Sequence, residues 1–352
     1  MTPLGTLLIR RIAQTGPITL AEYMADCLLH PTHGYYSTRD PFGAAGDFTT
    51  APEISQMFGE VLGLALAQSW LDQGAPKVFT LAELGPGRGT LMADVLRATR
   101  AVPGFHAAAQ VTLIEASPKL RARQRQALAD HPACWLDTAQ DLPDAPLFLL
   151  ANEFFDALPI RQFTRAAQGW CETMVGLAED KLCFGRSDPV DIAALRHRLA
   201  YTAPGSVVEL CPAAAPIMAA LGARIASYGG LALIMDYGGW HRIGDTFQAL
   251  RGHCFADPLA EPGQADLTAH VDFAALAAAA APAQTAFSTQ GALLTTLGLH
   301  ARSAKLCQQL GGAALESHLR ATHRLTAPEE MGKLFKALAI FAPNTPAPPG
   351  FP

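Results

Sequence analysis

The sequence lacks closely paired cysteines, long apolar runs and a marked excess of one charge sign. Its seven cysteines are scattered, with no two of them spaced as Cys-x-x-Cys, which favours reduced, packed thiols over a disulfide framework. No stretch offers the roughly 20 apolar residues of a membrane-spanning helix, and the N-terminus has no secretory apolar segment. We therefore expect a cytoplasmic location and no integral membrane segment.

Charged residues are few, and their balance is slightly acidic. The 352 residues include 26 basic and 31 acidic side chains, which gives a net charge of −5 and disfavours nucleic acid as a partner. Arg121, Arg123 and Arg125 lie close together, but they alternate around the predicted helix, and we expect a solvated surface there. A chain of this length predicts one elaborated domain or a core with a second lobe.

Short apolar runs alternate with helical stretches from residue 78 onwards. The runs that have the length of strands are residues 78–84, 111–114, 147–151 and 231–235. Strands separated by helices predict an α/β fold with a parallel sheet covered on both faces, and such sheets bind ligands at the carboxyl ends of their strands. Alternating apolar residues between 162 and 186 instead indicate antiparallel strands, so we predict a small β insertion there.

The predicted organisation has five consecutive segments. They are an N-terminal helical extension (1–76), the first part of the core (77–160), the β insertion (161–190), the remainder of the core with its loops (191–342) and a flexible tail (343–352). Within the extension, apolar residues from Phe58 to Leu71 recur at helical spacing and predict a helix packed on the sheet. The tail is expected to be poorly ordered because it is rich in proline.

A glycine-rich loop, GPGRGT at residues 85–90, follows the first predicted core strand and precedes an apolar helix. A strand, a glycine turn and a helix form the layout of a nucleotide site, where missing Cβ atoms let the backbone turn sharply and a ligand approach closely. Gly85, Gly87 and Gly89 follow the pattern GxGxG. A dinucleotide fold requires the third glycine one position later, where Thr90 stands.

Glu83, just before the turn, discriminates between cofactors. A carboxylate there would repel a pyrophosphate, but it suits a cofactor with a positively charged amino-acid end. The loop also lacks the lysine of a phosphate-binding loop. These features predict S-adenosyl-L-methionine as the cofactor. The candidate contacts in and beside the loop are Glu83, Gly85, Pro86, Gly87, Gly89 and Thr90.

Three polar residues at later strand ends supply further candidate cofactor contacts. Glu115 follows the strand 111–114, and its carboxylate can accept hydrogen bonds from both ribose hydroxyls. Asp137 is a candidate for the adenine edge, with a helix cap as the alternative. Asn152 follows the strand 147–151, where it could contact the cofactor or shape the loop.

Five stretches of the sequence resemble the MidA family of class I methyltransferases. They are residues 46–60, the glycine loop, 152–159, 266–273 and 331–336, in the family's order and across nearly the whole chain. The family is related to the mitochondrial arginine methyltransferase that assists assembly of respiratory complex I. The resemblance implies a Rossmann-like core with a seven-stranded, mostly parallel sheet, and transfer of methyl groups to arginine in a partner protein.

Two carboxylates follow the predicted strand 147–151. Glu153 and Asp156 come where an α/β sheet places its active site, and carboxylates bind the fork of N–H donors that a guanidinium presents. We predict that both contact the substrate. The alternatives are that Glu153 pairs with an arginine such as Arg161, and that Asp156 caps a following helix.

Histidines offer two more candidate sites. His270 lies in a polar segment with Asp266 and Asp272, and it could accept a proton near neutral pH; a hydrogen-bonded structural histidine is the alternative. His30 and His33 have no cysteine or acidic cluster nearby in the sequence, so we predict no metal site.

A polar segment in the N-terminal extension is a candidate lid. In the resembling family this region lies over the cofactor, and Asp47, Thr49 and Thr50 could hydrogen-bond the charged amino-acid end of the cofactor. The alternative is a helix N-cap ahead of Pro52 and Glu53.

Together these features predict an S-adenosyl-L-methionine-dependent methyltransferase. The family resemblance further implies that it acts on arginine in a partner protein, such as a subunit of respiratory complex I. Two other functions stay open: a cofactor-binding assembly factor with little catalysis, and a methyltransferase for a small molecule. The carboxylates beside an intact loop argue against the first. An amino-nucleobase acceptor is disfavoured because no Asn-Pro-Pro-Tyr or Asp-Pro-Pro-Tyr motif follows the fourth strand.

Overall fold

A computed structural model describes residues 2–38, 49–129 and 131–352. The α-helices are α1 (Pro3–Thr15), α2 (Leu20–Leu29), α3 (Tyr35–Thr38), α4 (Ala51–Ile54), α5 (Gln56–Asp72), α6 (Thr90–Thr99), α7 (Phe105–Ala108), α8 (Pro118–Ala127), α9 (Ala214–Tyr228), α10 (Phe273–Ala279), α11 (Gln290–Thr296), α12 (Leu299–Cys307), α13 (Gly312–Thr326) and α14 (Met331–Leu334). None of these helices is long and apolar enough to cross a membrane.

The strands are β1 (Ile18–Thr19), β2 (Phe79–Leu84), β3 (Ala109–Ile114), β4 (Ala133–Leu136), β5 (Leu147–Asn152), β6 (Arg161–Arg165), β7 (Trp170–Ala178), β8 (Lys181–Arg186), β9 (Val207–Leu210), β10 (Gly230–Gly239), β11 (Gln248–Arg251), β12 (Cys254–Ala256), β13 (Asp266–Thr268), β14 (Val271–Asp272), β15 (Gln284–Thr289) and β16 (Phe335–Phe341). Short 3-10 helices span Ala139–Asp141 and Ala193–Arg198.

The chain forms two compact units, each assembled from three separate stretches. The smaller unit comprises Met1–Phe48, Phe155–Ala214 and Gly239–Asp272, and the larger unit comprises Thr49–Phe154, Ala215–Gly238 and Phe273–Pro352. The five consecutive segments predicted from the sequence do not match these units. The chain passes back and forth between the two units, so neither unit is one continuous segment.

The larger unit contains a mixed sheet whose strands lie in the order β15, β16, β10, β5, β2, β3, β4. The five strands from β10 to β4 are parallel, and β16 is antiparallel to both of its neighbours. The predicted α/β fold is confirmed, and the four predicted apolar runs form β2, β3, β5 and β10. Their carboxyl ends meet at one side of the sheet, where β2 leads into the glycine loop.

Helices α5 and α6 pack closely on each other beside this sheet. A Cβ added to Gly59 would lie 2.6 Å from Cβ of Asp94, and one added to Gly63 would lie 3.0 Å from Cα of Val95, so both glycines are required by the helix contact. The predicted helix is therefore present as α5. Two members of its predicted apolar stripe, Leu64 and Leu71, are instead exposed, because Gly59 and Gly63 turn a different face towards α6.

The smaller unit contains the predicted β insertion. Strands β6, β7 and β8 are antiparallel, as expected from the alternation of residues 162–186, and β1 and β9 extend the same sheet. In the described part of the predicted helical extension, the two-residue strand β1 lies between α1 and α2. Strands β11, β12 and β13 form a second antiparallel sheet in this unit.

The prediction of a flexible tail is wrong for residues 350 and 351. Phe351 is buried in the main core of the larger unit, and a Cβ on the neighbouring Gly350 would lie 2.5 Å from a methyl carbon of Leu293. The prediction was based on the proline content of the tail and did not consider that the apolar ring of Phe351 can pack into the core.

Candidate active site

The glycine loop has the backbone that its sequence predicts. Gly85, Gly87 and Gly89 adopt φ angles of +59°, +52° and +86°, the left-handed region that favours glycine. The Gly85 N–H donates to the carbonyl of Ile114 at 3.0 Å, which ties the turn to β3, and the Gly89 N–H donates to the carbonyl of Pro86 at 2.7 Å. Helix α6 begins directly afterwards at Thr90.

Side chains on two sides leave no room for Cβ atoms in this loop. A Cβ on Gly85 would lie 2.7 Å from Cδ2 of Phe154, and one on Gly89 would lie 3.3 Å from Cβ of Ala127. Both distances are shorter than an ordinary van der Waals contact. The loop backbone is thus closely packed against its protein neighbours, and glycine at positions 85 and 89 makes this packing possible.

Glu83 is a buried carboxylate with an unsatisfied oxygen. The residue is 3% exposed, and its Oε2 has no hydrogen-bond partner among the described residues. Burial raises the pKa of this carboxyl to about 8, and a hydrogen bond from the Met92 backbone only partly opposes the shift. A buried carboxylate without a cationic partner is costly, and a cationic ligand group would relieve that cost.

Glu115 follows β3 and is held at both oxygens. Its Oε1 accepts the Ser117 N–H at 2.8 Å and its Oε2 accepts Nε2 of Gln124 at 3.2 Å. Burial raises the pKa of Glu115, while these hydrogen bonds oppose the shift. Asp137 differs, because its side chain is 78% exposed and pairs with Arg121 at 2.5 Å.

Arg121 and Gln124 are functional candidates that the sequence analysis missed. The predicted solvated surface is wrong for Arg121, whose Nε donates to the Glu115 carbonyl at 2.6 Å and whose Nη2 donates to the Leu136 carbonyl at 3.1 Å. Gln124 is fully buried beneath the glycine loop. Its spacing of four residues from the buried Leu120 was the available signal, because that spacing places both side chains on one helix face.

The end of β5 carries Asn152 and Glu153. Glu153 has a φ angle of +51°, which is uncommon for a residue with a side chain and costs about 1 kcal/mol or more. Its Oε1 accepts hydrogen bonds from the Ala51 N–H at 3.1 Å and from Nδ2 of Asn152 at 2.9 Å, and its own N–H donates to the Met235 carbonyl at 2.9 Å. Several contacts therefore hold this carboxylate in a strained position.

Helix α4 links the candidate lid to the loop. Thr50 is its N-cap residue, but the Thr50 side chain makes no capping hydrogen bond. Glu53 on this helix accepts the Thr90 hydroxyl at 2.7 Å and lies 4.0 Å from Arg88. Of the predicted lid residues, Thr49 and Thr50 adjoin this helix, and Asp47 lies outside the described residues.

The two remaining candidates, Asp156 and His270, belong to the smaller unit, and the structure brings their segments together. Asp156 is buried, and its carbonyl accepts the N–H of Ala269, next to His270. The His270 N–H donates to the Thr246 hydroxyl at 2.9 Å. The accompanying aspartates are engaged as well: Asp266 accepts a hydrogen bond from the Tyr36 hydroxyl, and Asp272 pairs with the buried Arg198.

Two of the structural alternatives, pairing of Glu153 with Arg161 and capping of a following helix by Asp156, do not hold among the described residues. Arg161 binds Glu172 with two hydrogen bonds, Nε to Oε1 at 2.7 Å and Nη2 to Oε2 at 2.6 Å, and so is committed to that partner rather than to Glu153. The chain after Asp156 continues through a turn into β6, so no helix follows for it to cap.

The comparison with known proteins identifies the family. Residues 61–292 match the family model described as "Putative S-adenosyl-L-methionine-dependent methyltransferase". The chain belongs to this methyltransferase family. The methyltransferase is 37% identical over 363 residues to "Protein arginine methyltransferase NDUFAF7, mitochondrial" of Xenopus laevis, which covers 95% of this chain and 83% of the relative. The Homo sapiens protein of the same name is 35% identical, covering 97% and 83%.

A solved structure supports the same conclusion. The methyltransferase is 30% identical to a Burkholderia thailandensis protein crystallised with S-adenosyl-homocysteine, with a TM-score of 0.86 over 99% of this chain and 94% of that chain. The predicted fold, the methyltransferase activity and S-adenosyl-L-methionine as cofactor are confirmed. The predicted cytoplasmic location is wrong, because the curated relatives are named as mitochondrial proteins.

Proposed function

We propose that this methyltransferase modifies arginine in a partner protein. Two relatives that share more than a third of its residues over almost the whole chain are named protein arginine methyltransferases. The structural observation that carries the proposal is Glu153, a carboxylate held at the carboxyl end of β5 on a left-handed backbone. Strain of this kind, maintained by surrounding contacts, is characteristic of functional positions.

A carboxylate at this position suits a guanidinium acceptor. Arginine stays protonated at neutral pH and is a poor nucleophile, so an enzyme must hold it and shift its positive charge away from the attacking nitrogen. Glu153 can do this by accepting N–H hydrogen bonds from the guanidinium. The hydrogen bonds from Ala51 and Asn152 to its Oε1 help to fix the plane of the carboxylate. S-adenosyl-L-methionine supplies the electrophilic methyl group on its sulfonium.

We infer roles on the cofactor side from the residues of the larger unit. The unsatisfied oxygen of Glu83 is suited to the cofactor's ammonium group, and Glu115 to the ribose hydroxyls. Asn152 also has a buried oxygen, Oδ1, without a partner among the described residues, which supports a contact with the cofactor. Asp137, exposed beside Arg121, stays a proposal for the adenine edge.

We infer roles on the substrate side for Asp156 and His270. The buried Asp156 lies in the same unit as the His270 segment, and the backbone hydrogen bond between Ala269 and Asp156 holds the two stretches together. Asp156 would contribute negative charge towards a cationic substrate, and His270 would accept a proton. For the partner protein itself we propose a subunit of respiratory complex I.

Mass spectrometry of proteins from cells with and without this gene tests the substrate. The proposal predicts arginine methylation, on a complex I subunit, that is present only when the gene is present. If the gene changed the methylation of small molecules but of no protein arginine, the protein-substrate proposal would be wrong.

The substitution Glu153→Gln tests the catalytic role. It removes the negative charge and retains the shape, so methylation of protein extract from the gene-deleted cells should fall about 100-fold. S-adenosyl-L-methionine affinity should change by less than about threefold, because Glu153 is assigned to the acceptor. Glu316→Gln, at a side chain that is 72% exposed, is the matched control and should leave both quantities unchanged. Normal methylation by Glu153→Gln would exclude the proposed role.

A further inference from the structure

Gln124 is a fully buried polar side chain on α8. Its Nε2 donates to the Gly87 carbonyl at 2.8 Å and to Oε2 of Glu115 at 3.2 Å. Its Oε1 accepts a hydrogen bond from the indole Nε1 of Trp135 at 2.8 Å. One side chain therefore joins the glycine loop, the proposed ribose contact and β4.

Trp135 determines which way the Gln124 amide faces. An indole N–H can only donate, so the amide oxygen must point towards it. The amide NH₂ group then faces two acceptors, the Gly87 carbonyl and the Glu115 carboxylate, and it has one hydrogen for each. A reversed amide would place oxygen against oxygen at both of these positions. The amide is consequently held in a single orientation.

The glycine loop rests directly on the helix that carries Gln124. A Cβ on Gly89 would lie 3.4 Å from Cα of Gln124, so the loop backbone and α8 are in close contact. On the other side, the Ser117 N–H holds Oε1 of Glu115 while Gln124 holds Oε2. A carboxylate fixed at both oxygens presents its remaining lone pairs in one direction, and ligand binding then need not order it.

We propose that Gln124 is a positioning residue that orients the Glu115 carboxylate towards the ribose hydroxyls and couples this orientation to the glycine loop. The proposal rests on the proposed role of Glu115 in binding ribose. An apolar side chain of equal size would fill the same space, but the Gly87 carbonyl, Oε2 of Glu115 and the Trp135 N–H would each lose their hydrogen bond to Gln124. Gln124 thereby makes recognition of the ribose depend on the loop.

The discriminating experiment compares two ligands rather than one. Isothermal titration would measure the affinities of S-adenosyl-homocysteine and of its analogue without the two ribose hydroxyls. The proteins would be the full-length wild type, Gln124→Met, Glu115→Gln and the double variant. The ratio of the two affinities reports recognition of the ribose, whereas a purely structural defect would weaken both ligands equally.

The wild type should prefer the hydroxylated ligand at least tenfold, since hydrogen bonds to a charged group are lost with the analogue. Gln124→Met should reduce this preference to about threefold or less, and the double variant should show no smaller preference than Glu115→Gln alone. If Gln124→Met weakened both ligands equally, Gln124 would be structural and the proposal would be overturned. If Glu115→Gln kept the wild-type preference, the role of Glu115 itself would be wrong, and the inference would fall with it.

Trp135→Phe provides a gentler variant in case Gln124→Met does not fold. It removes the single N–H that orients the amide and retains an aromatic ring beneath Arg125, whose guanidinium lies 4.6 Å from the Trp135 ring centroid. The expected result is a two- to fivefold smaller preference for the hydroxylated ligand. An unchanged preference in this variant would contradict the proposal, because the amide orientation would then have no effect on the ribose.

Discussion

Two buried glutamates in the larger unit have opposite surroundings. Glu60 on α5 is 4% exposed and accepts hydrogen bonds from Arg97 at 2.6 Å and from Arg302 at 2.6 Å. Burial opposes ionisation of Glu60, but the two arginines outweigh it and lower its pKa. Glu83 is 3% exposed, has an oxygen without a partner among the described residues, and has a raised pKa of about 8.

The contrast separates a structural carboxylate, Glu60, from a carboxylate that we propose binds a ligand, Glu83. At Glu60 the protein supplies two arginines, so the negative charge of the carboxylate is paired without any ligand. At Glu83 burial is not offset by a cation, so the carboxyl favours its neutral form until a cationic group binds beside it. In the smaller unit, the pairing of Asp272 with Arg198 is of the first kind.

The glycines next to the two glutamates give the largest expected difference. Gly85→Ala places a Cβ 2.7 Å from Phe154, and Gly59→Ala places one 2.6 Å from Cβ of Asp94. We expect Gly85→Ala to weaken binding of S-adenosyl-L-methionine at least about 100-fold, because the loop backbone, at a φ angle of +59° and against Phe154, must move. Gly59→Ala should instead lower the free energy of unfolding by about 1–3 kcal/mol through overpacking and leave cofactor affinity nearly unchanged. Equal effects of both variants on cofactor affinity would remove the distinction.

Replacing the carboxylates themselves should give the next largest difference. Glu83→Gln should weaken binding of S-adenosyl-L-methionine about 30-fold, since it removes the charge that we propose binds the cofactor's ammonium group. Glu60→Gln, the matched control, should stay within about twofold of the wild type. Titration calorimetry measures both, and a larger loss in Glu60→Gln than in Glu83→Gln would reverse the assignment of the two residues.

The free energy of unfolding should show the opposite order, with a larger loss in Glu60→Gln than in Glu83→Gln. Glu60→Gln leaves Arg97 and Arg302 without their shared carboxylate, and we expect a loss of about 1–2 kcal/mol in chemical denaturation at pH 7. The loss is modest because the side chains of these arginines are 44% and 35% exposed. Glu83→Gln should not destabilise the cofactor-free protein at this pH. A destabilised Glu83→Gln protein would indicate that the carboxylate has a structural partner.

The pH dependence of stability gives the subtlest comparison. The carboxyl of Glu83 loses its proton near its ordinary pKa of 4.5 when unfolded and near 8 when folded. Between these pH values the folded state binds more protons, so stability of the cofactor-free protein should fall as pH rises, by a few kcal/mol at most. Glu83→Gln should flatten this decline in denaturation curves at pH 5, 6, 7 and 8. Glu60 acts in the other direction, because its stabilisation is present above pH 4.5 and is lost in acid.

The sequence was most informative where function depends on local pattern. The strand, the GxGxG spacing and Glu83 lie within a dozen residues, and their backbone and burial follow from that short stretch. Gln124 was missed because its three partners come from three different elements, and only the fold brings them together.

Parts of the fold also depend on contacts between distant segments, which a local sequence pattern does not show. Strand β16, FKALAIF, contains residues that favour helices, and its pairing with the distant strands β10 and β15 determines its conformation. A second lobe was anticipated, but the assignment of residues to the two units was not, since Asp156 and His270 belong to one unit and Glu153 to the other. Their roles therefore stay predictions, whereas the cofactor and the methyltransferase family are established.

Proton release on cofactor binding tests the central contrast most directly. At pH 7 most Glu83 carboxyls are protonated in the cofactor-free protein, because their pKa is about 8, and an ammonium group bound nearby would expel that proton. Titration of S-adenosyl-L-methionine in two buffers of different ionisation enthalpy measures the release. We predict nearly one proton released by the wild type and by Glu60→Gln, and none by Glu83→Gln. Identical heats in both buffers for the wild type would contradict the account.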